Sequence, residues 1–175
     1  PIGPHGHFWV PLQSQNEKRS AKKRAVPSLA AEANLQTLLA DGRRAPLEGI
    51  ILPDHPRTCR WFGAKARKIR EMRIIEQIAF AENAAQLWLL QVDYTDGAPD
   101  IYSLPVQVAT GAAADAIARN APQSVIARLG TQRAVLYDAI WDADFREKLL
   151  RLMGGGAAWW DRAGHWRAAG CAGPP

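Results

Sequence analysis

The sequence predicts an α+β fold in which a three- or four-stranded antiparallel sheet is packed on one face by a helix and is followed by the start of a second, small α+β subdomain. Three observations support this prediction. Apolar residues make up 47% of the 175 positions, which is enough for a packed core. Three strand-like runs joined by short turns occupy residues 69–109. Stretches with helical spacing of apolar residues lie before and after these runs.

We do not expect the first 28 residues to belong to this sheet. Residues 1–13 contain one strand-like run, at 7–12, that has no partner in the sequence that follows it. We therefore interpret residues 1–13 as the end of an upstream β-domain. Residues 14–28 carry five basic residues and few apolar ones, which is typical of a linker. The chain begins with Pro1 rather than methionine, so the sequence is interpreted as a fragment.

Two short helices are predicted ahead of the sheet. Apolar residues follow helical spacing over 29–39, and Asp41-Gly42 is a suitable end for this helix. A second helix is predicted over 46–52, because proline is favoured in the first turn of a helix. Pro53 and Pro56 then end it.

The strands are predicted at 69–80, 86–94 and 101–109. Thr95-Asp96-Gly97 is a strong hairpin turn between the second and the third. Consecutive strands joined by short turns form an antiparallel meander, and its apolar face must be covered. The preceding helix is the nearest element that can do so, and residues 29–110 are predicted to form this first domain.

Residues 111–153 are predicted to start the second subdomain. They contain an alanine-rich helix at 111–121, strands at 124–129 and 132–140, and a helix at 142–153 with acidic residues near its start. The composition then changes, because residues 154–175 contain three tryptophans and no aliphatic residue larger than alanine. Such a stretch cannot build a core, so we expect an aberrant or disordered tail, of the kind that a shifted reading frame would produce.

The sequence contains no recognisable catalytic, cofactor-binding or metal-binding motif. There is no GxxxxGK[ST] or GxGxxG loop, no GxSxG turn and no HExxH. Carboxylate pairs such as Asp142/Asp144 stand at turns and helix starts, where aspartate is favoured for backbone reasons. Cys59 and Cys171 are far apart and lack further metal ligands nearby, so they indicate a reducing, cytoplasmic compartment.

One cluster combines large aromatic side chains with cations. It runs through the segment RWFGAKAR and comprises Arg60, Trp61, Phe62, Gly63, Lys65 and Arg67. Three interpretations are open. The rings could fill the helix–sheet interface beneath the Arg and Lys stems, could stack bases of single-stranded nucleic acid, or could contact an anionic ligand or partner domain. The chemistry favours the first.

Within this cluster we expect Trp61 to be buried and Phe62 to lie nearer the surface. Adjacent residues of an extended stretch point to opposite sides. Trp61 has the greater apolar area to bury.

The cluster and two later stretches resemble the N-terminal region of bacterial maltokinases. The family has an R-W-F-x-x-K-x-R run, which Arg60, Trp61, Phe62, Lys65 and Arg67 match in place. Further similarity lies in LWLLQVDYTDGAPDIYSLPVQVA and in AVLYDAIWDADFREKLL. The resemblance covers about residues 45–153. The first thirteen residues resemble more weakly the last strand of a trehalose synthase, which is fused ahead of maltokinase in many bacteria.

This resemblance implies a cystatin-like α+β cap at 29–110, followed by the start of the intermediate kinase subdomain at 111–153. Maltokinases transfer the γ-phosphate of ATP, with Mg²⁺, to maltose and form maltose 1-phosphate, on the route from trehalose to glycogen and other α-glucans. The residues that bind ATP and Mg²⁺ lie downstream of the matched region, so the chain is expected to be inactive alone and to hold no cofactor. The cluster would then be structural or would contact the downstream kinase lobe. The expected partners in the parent chain are that lobe and the upstream trehalose synthase module.

The alternative function is a free-standing basic binding module. The net charge of +5, concentrated in residues 18–24 and 57–73, permits binding of nucleic acid or another anionic partner. The matched motifs favour the maltokinase interpretation over nucleic acid. No run of 18 apolar residues exists, so no membrane partner is expected.

Overall fold

A six-stranded mixed sheet forms the centre of the protein. The computed structural model describes residues 25–40, 42–80, 85–130, 133–155, 158–160 and 165–167. The strands are β1 (Ser28–Leu29), β2 (Ile69–Ala79), β3 (Gln86–Tyr94), β4 (Asp100–Thr110), β5 (Val125–Leu129) and β6 (Ala134–Asp138). Their order across the sheet is β1-β5-β6-β4-β3-β2. All neighbours are antiparallel except β1 and β5, which are parallel.

The helices are short before the sheet and longer after it. They are α1 (Leu35–Leu38), α2 (Arg44–Pro46), a π-helical turn (Leu47–Ile51), α3 (Leu52–Asp54), α4 (Gly111–Asn120) and α5 (Ala143–Gly155), with 3₁₀ turns at Pro56–Thr58, Pro122–Ser124 and Ala139–Trp141. Asn34 caps α1 by accepting a hydrogen bond from the Gln36 amide at 2.9 Å. None of the described helices is both long and apolar enough to cross a membrane.

The main core lies between one face of the sheet and the helical segment that precedes it. Alternate residues of β3 are buried, as expected for a strand with one covered face, and Trp88, Leu90 and Val92 point into this core. We call this side the inner face. Leu47 and Leu52, from the helical run at 44–54, pack against it.

Among the described residues, two clusters cover the outer face near its ends. α4 contributes Ala114 to a cluster with Val135 and Tyr137 of β6. At the other end, Phe145 of α5 packs edge-on against Phe80, with ring centroids 5.4 Å apart. Two separate clusters therefore stabilise the outer face.

A side-chain pair joins the helical run to the outermost strand. The Ile74 amide donates to Glu48 Oε1 at 2.7 Å, and Arg44 donates both to that same oxygen and to the Ile74 carbonyl. Arg44 and Glu48 thus provide hydrogen-bond partners for the N–H and C=O of Ile74 on the edge of β2. The β2–β3 register shifts at this point, between Ile74 and Glu76.

The structure confirms the α+β class, the three-stranded meander and the helices predicted near 111–121 and 142–153. It differs over the helix predicted at 29–39. Residues 28–29 form β1 instead, and α1 covers only Leu35–Leu38. Leu29 pairs with Leu129 of β5, so a long-range strand contact prevails over the local helical spacing at that position.

One sheet continues across residue 110, where the sequence predicts a domain boundary. β6 pairs with β4 from Val106↔Asp138 to Thr110↔Ala134, so residues on both sides of that boundary share one sheet. The sequence pattern identified these strands but carried no signal for which strand would be their neighbour.

In the tail, strands β7 (Ala158–Trp160) and β8 (His165–Arg167) form an antiparallel pair, where no regular structure was expected. The other predictions for residues 156–175, and those for residues 1–24, lie outside the described residues.

Candidate functional site

The aromatic and cationic cluster lies in the segment between the 3₁₀ turn Pro56–Thr58 and β2. This segment crosses the inner face and brings Phe62 against Tyr102 of β4, with ring centroids 5.0 Å apart. Phe62 is only 2% exposed, whereas Trp61 is 37% exposed. The prediction that Trp61 would be the buried ring, with Phe62 nearer the surface, is therefore wrong.

The physical reason is the polar atom of the indole. Trp61 lies edge-on to Phe62, with centroids 6.2 Å apart and planes at 90°, and 5.8 Å from Tyr102. This position leaves its N–H in a hydrogen bond to the Asp138 side chain. An indole N–H favours such a partner, and because this partner lies at the rim of the core, the Trp61 ring stays 37% exposed.

Asp138 ends β6 and is almost fully buried. Its Oδ1 accepts a hydrogen bond from the Ile140 amide at 3.0 Å and thereby caps the 3₁₀ turn Ala139–Trp141. Burial raises the pKa of this carboxyl, and the hydrogen bonds from the Ile140 amide and the Trp61 indole oppose the shift only in part. Asp138 therefore connects the aromatic cluster to the end of the sheet.

Arg67 holds the turn between β3 and β4. Its Nη2 donates to the carbonyls of Asp96 and Ala98, both at 2.8 Å, and its Nη1 lies 3.3 Å from Asp100 Oδ2. The guanidinium also stacks on the Tyr94 ring, 3.6 Å from its centroid. These contacts give Arg67 a structural role.

The Tyr94 hydroxyl completes this network by donating to Asp100 Oδ2 at 2.8 Å. Burial, followed by hydrogen bonding and the nearby Asp100 charge, raises the pKa of Tyr94 well above its ordinary value. The hydroxyl therefore stays protonated and remains a donor.

The other members of the cluster point away from any common site. Arg60, Gly63 and Lys65 are exposed, and Arg60 and Lys65 have no ion-pair or hydrogen-bond partner among the residues that the structure describes. A Cβ added at Gly63 would meet no atom within 4 Å, so neither a close approach nor a positive φ explains this glycine. The six residues thus form a packing motif with an exposed cationic side and do not converge on a pocket.

An open depression of about 620 Å³ lies elsewhere, between the β1–α1 segment and the end of β5. Its polar side chains are Glu32, Asn34 and Arg43, of which Asn34 already caps α1. The depression therefore brings together no set of reactive groups.

Sequence reasoning did not foresee two polar contacts. His55 is fully buried, and its Nε2 lies 3.4 Å from the Cys59 sulfur. On the outer face, Asp93 accepts from Gln91 at 3.2 Å and pairs with Arg73 at 3.0 Å. The hydrogen bond from Gln91 and the pairing with Arg73 lower the pKa of Asp93 despite its burial. Arg73 lies opposite Gln91 in the β2–β3 ladder, which brings Arg73 close to Asp93. The contact with Asp93 could therefore have been predicted if the β2–β3 register had been known.

Comparison with known protein families gives a match for the central part of the chain. The family described as the maltokinase N-terminal cap domain matches residues 57–142, which run from the start of the cationic segment to the residue that follows the 3₁₀ turn Ala139–Trp141. No curated protein matches the chain.

Proposed function

We propose that the chain, whose residues 57–142 match the family described as the maltokinase N-terminal cap domain, is the cap region of a maltokinase and has a supporting, non-catalytic role. The parent enzyme would phosphorylate maltose with ATP to maltose 1-phosphate, on the route from trehalose to α-glucan. The family match is the observation that carries this proposal. The ordered packing of Arg67 and Phe62 supports it, because both belong to the matched segment and both stabilise the fold.

We propose that ATP and Mg²⁺ bind outside the described residues. Phosphoryl transfer requires phosphate-binding groups, metal ligands and a base that act together. Within the described ranges, no group of three or more His, Cys, Asp or Glu side chains could hold a metal ion. We therefore assign ATP and Mg²⁺ to the downstream kinase part of the parent protein and derive no catalytic step from this chain.

The proposed partner of the cap is this downstream kinase part. Arg60 and Lys65 support such a contact, because both are exposed and neither has an ion-pair partner among the described residues. An upstream trehalose synthase module remains a proposal based on residues 1–13, which lie outside the described residues.

The direct test is an activity assay in two arms. The purified chain, incubated with maltose, ATP and Mg²⁺, should form no maltose 1-phosphate above a blank without enzyme. The parent kinase should lose activity when residues 57–142 are deleted, and should lose it in part when Arg60 and Lys65 are both changed to alanine. The matched control changes the exposed Arg119 of α4, which lies outside the cluster.

Two results would contradict the proposal. Formation of maltose 1-phosphate by the chain alone would refute the non-catalytic role. Strongly salt-dependent binding to oligonucleotides, together with full activity of the deleted kinase, would favour a nucleic-acid-binding module.

A further inference from the structure

Among the residues that the structure describes, part of β4 has no strand on one of its two sides. β4 pairs with β3 from Asp100 to Val106 and with β6 only from Val106 to Thr110. β6 ends at Asp138, and the chain continues into the 3₁₀ turn Ala139–Trp141, which stays close to β4 but does not extend the β4–β6 ladder. Within the described residues, the β6 side of β4 is therefore unpaired between Asp100 and Pro105.

A hydrogen bond just after the last residue of β4 shows which backbone N–H and C=O groups of this strand point to the unpaired side. The Gly111 amide donates to the Arg133 carbonyl at 2.6 Å, so the backbone of residue 111 faces the β6 side. Backbone groups of successive strand residues alternate between the two sides. The N–H and C=O groups of Ile101 and Ser103 therefore point to the unpaired side, and we call these two residues the open β4 edge.

Prolines limit the open β4 edge at both ends. Pro99 and Pro105 lie an even number of residues from Ile101 and Ser103, so their backbone groups face the same side of the strand. Proline, however, has no N–H to donate. Only two outward amides are left between them. A strand that docks here thus has a single register, with donors and acceptors at Ile101 and Ser103.

The surroundings of the open β4 edge are apolar and cationic. Ile101 is 65% exposed, and Trp141, in the turn where β6 would have continued, is 50% exposed. The segment 57–70 carries six cations and no carboxylate, and it reaches β4 through the contact of Trp61 with Tyr102. Arg67 already pairs with Asp100, whereas Arg60 and Lys65 are exposed and have no ion-pair partner among the described residues.

We propose that the open β4 edge is a docking site for an extended, acidic peptide segment of a partner protein, which adds a strand beside β4. Main-chain hydrogen bonds to Ile101 and Ser103 would hold this segment, as in other cases of strand addition. Its apolar side chains would contact Ile101 and Trp141, and its carboxylates would face the cations of segment 57–70. This charge complementarity also disfavours a second copy of the chain, because two such cationic segments would repel each other.

The test uses three synthetic peptides of eight residues. The first alternates valine and glutamate, the second alternates valine and lysine, and the third is the glutamate peptide N-methylated at alternate positions. Amide hydrogen exchange of the 175-residue chain is measured residue by residue. At about ten times the dissociation constant, the first peptide should slow exchange at Ile101 and Ser103 about tenfold. The second and third should slow it little.

Two variants and their controls test the geometry. Ser103→Pro removes one outward amide without touching the β3 pairing, as Pro105 already does two residues later, and should abolish protection at Ile101. Ser103→Ala keeps the amide and should bind like the wild type. Lys65→Glu should weaken binding of the glutamate peptide, whereas Arg119→Glu on α4 changes the net charge equally and should not.

Equal protection by all three peptides, or full protection in Ser103→Pro, would overturn the proposal. If Ser103→Pro fails to fold, the N-methylated peptide and the Lys65→Glu variant decide the question. Slow exchange at Ile101 and Ser103 without peptide, together with a dimer in sedimentation, would show that a second copy occupies the edge instead.

Discussion

At the scale of single residues, Phe62 and Trp61 are adjacent but have different roles. Phe62 belongs to the main core, and Trp61 covers its rim and donates to Asp138. Phe62→Ala should lower the free energy of unfolding by about 3–5 kcal/mol, the usual cost of truncating a buried aromatic ring. Trp61→Ala should cost less, about 1–3 kcal/mol, mainly because Asp138 loses a hydrogen-bond donor in a buried place.

Urea unfolding of both variants checks this order. Trp61→Phe is the matched control, since it keeps a ring but removes the N–H. If Trp61→Ala proved more damaging than Phe62→Ala, the assignment of Phe62 as the core residue would be wrong.

The ionisation of Asp138 and that of Asp93 should change the free energy of unfolding in opposite directions as the pH falls. Burial raises the pKa of Asp138 above its ordinary value of 3.8, so the folded state binds this proton more tightly than the unfolded chain does. The free energy of unfolding should therefore increase as the pH falls from neutral, through the raised pKa, towards 3.8. Asp138→Asn should remove this gain. Thermal melts of wild type and variant across that pH range measure it.

The comparison variant is Asp93→Asn. The pKa of Asp93 lies below 3.8, so its ionised form stabilises the fold at higher pH and this contribution is lost as the pH falls below 3.8. Asp93→Asn should therefore be less stable than wild type at neutral pH and should converge with it in acid. A constant difference between the two proteins at every pH would contradict the assigned shift.

At the scale of elements, the β3–β4 turn depends on Arg67 and Gly97 together. Gly97 has φ of +79°, and a Cβ there would lie 2.8 Å from Arg67 Nη2. Gly97→Ala should cost about 1–2 kcal/mol from backbone strain alone. The clash with Arg67 should add to this cost.

A double-mutant cycle separates the two contributions. In an Arg67→Ala background the clash is absent, so Gly97→Ala should cost less there than in the wild type. Lys65→Ala is the control for loss of a nearby charge and should change stability by less than about 0.5 kcal/mol. Equal costs of Gly97→Ala in both backgrounds would show that the guanidinium moves aside freely.

Element boundaries could be predicted well where the pattern is local. β3 was predicted at 86–94 and is found there, because its alternating apolar residues follow the period of a strand. β1 and the pairing of β6 with β4 could not be predicted, because the local pattern of apolar residues does not indicate which distant strand will be the neighbour. The RWFGAKAR cluster is recognisable in the sequence, but the predicted burial of its two rings was reversed, because the hydrogen bond of Trp61 to Asp138 depends on tertiary structure.

At the scale of the whole molecule, the sheet should behave as one cooperative unit. A chain that ends after Thr110 lacks β5 and β6 and leaves the inner side chains of β4, such as Val106, without their neighbours. It should therefore show no cooperative unfolding transition in urea, whereas a chain that ends after Gly155 should retain one. A sharp transition in the shorter chain would restore the domain boundary that the sequence predicted at residue 110.

The parallel pairing of β1 with β5 has a consequence for the order in which the protein folds. Ser28 lies opposite Arg128, so this contact closes a loop of about a hundred residues and carries a large entropic cost until the strands between them are in place. The hairpin of β3 and β4 closes a far shorter loop and should form early. Pulse-labelled hydrogen exchange during refolding should therefore protect Leu90 before Arg128, whose amide donates to the Pro27 carbonyl at 2.9 Å. On a ribosome, β1 would emerge before the helical segment that covers the inner face, yet it would wait for β5 to be synthesised before it could join the sheet.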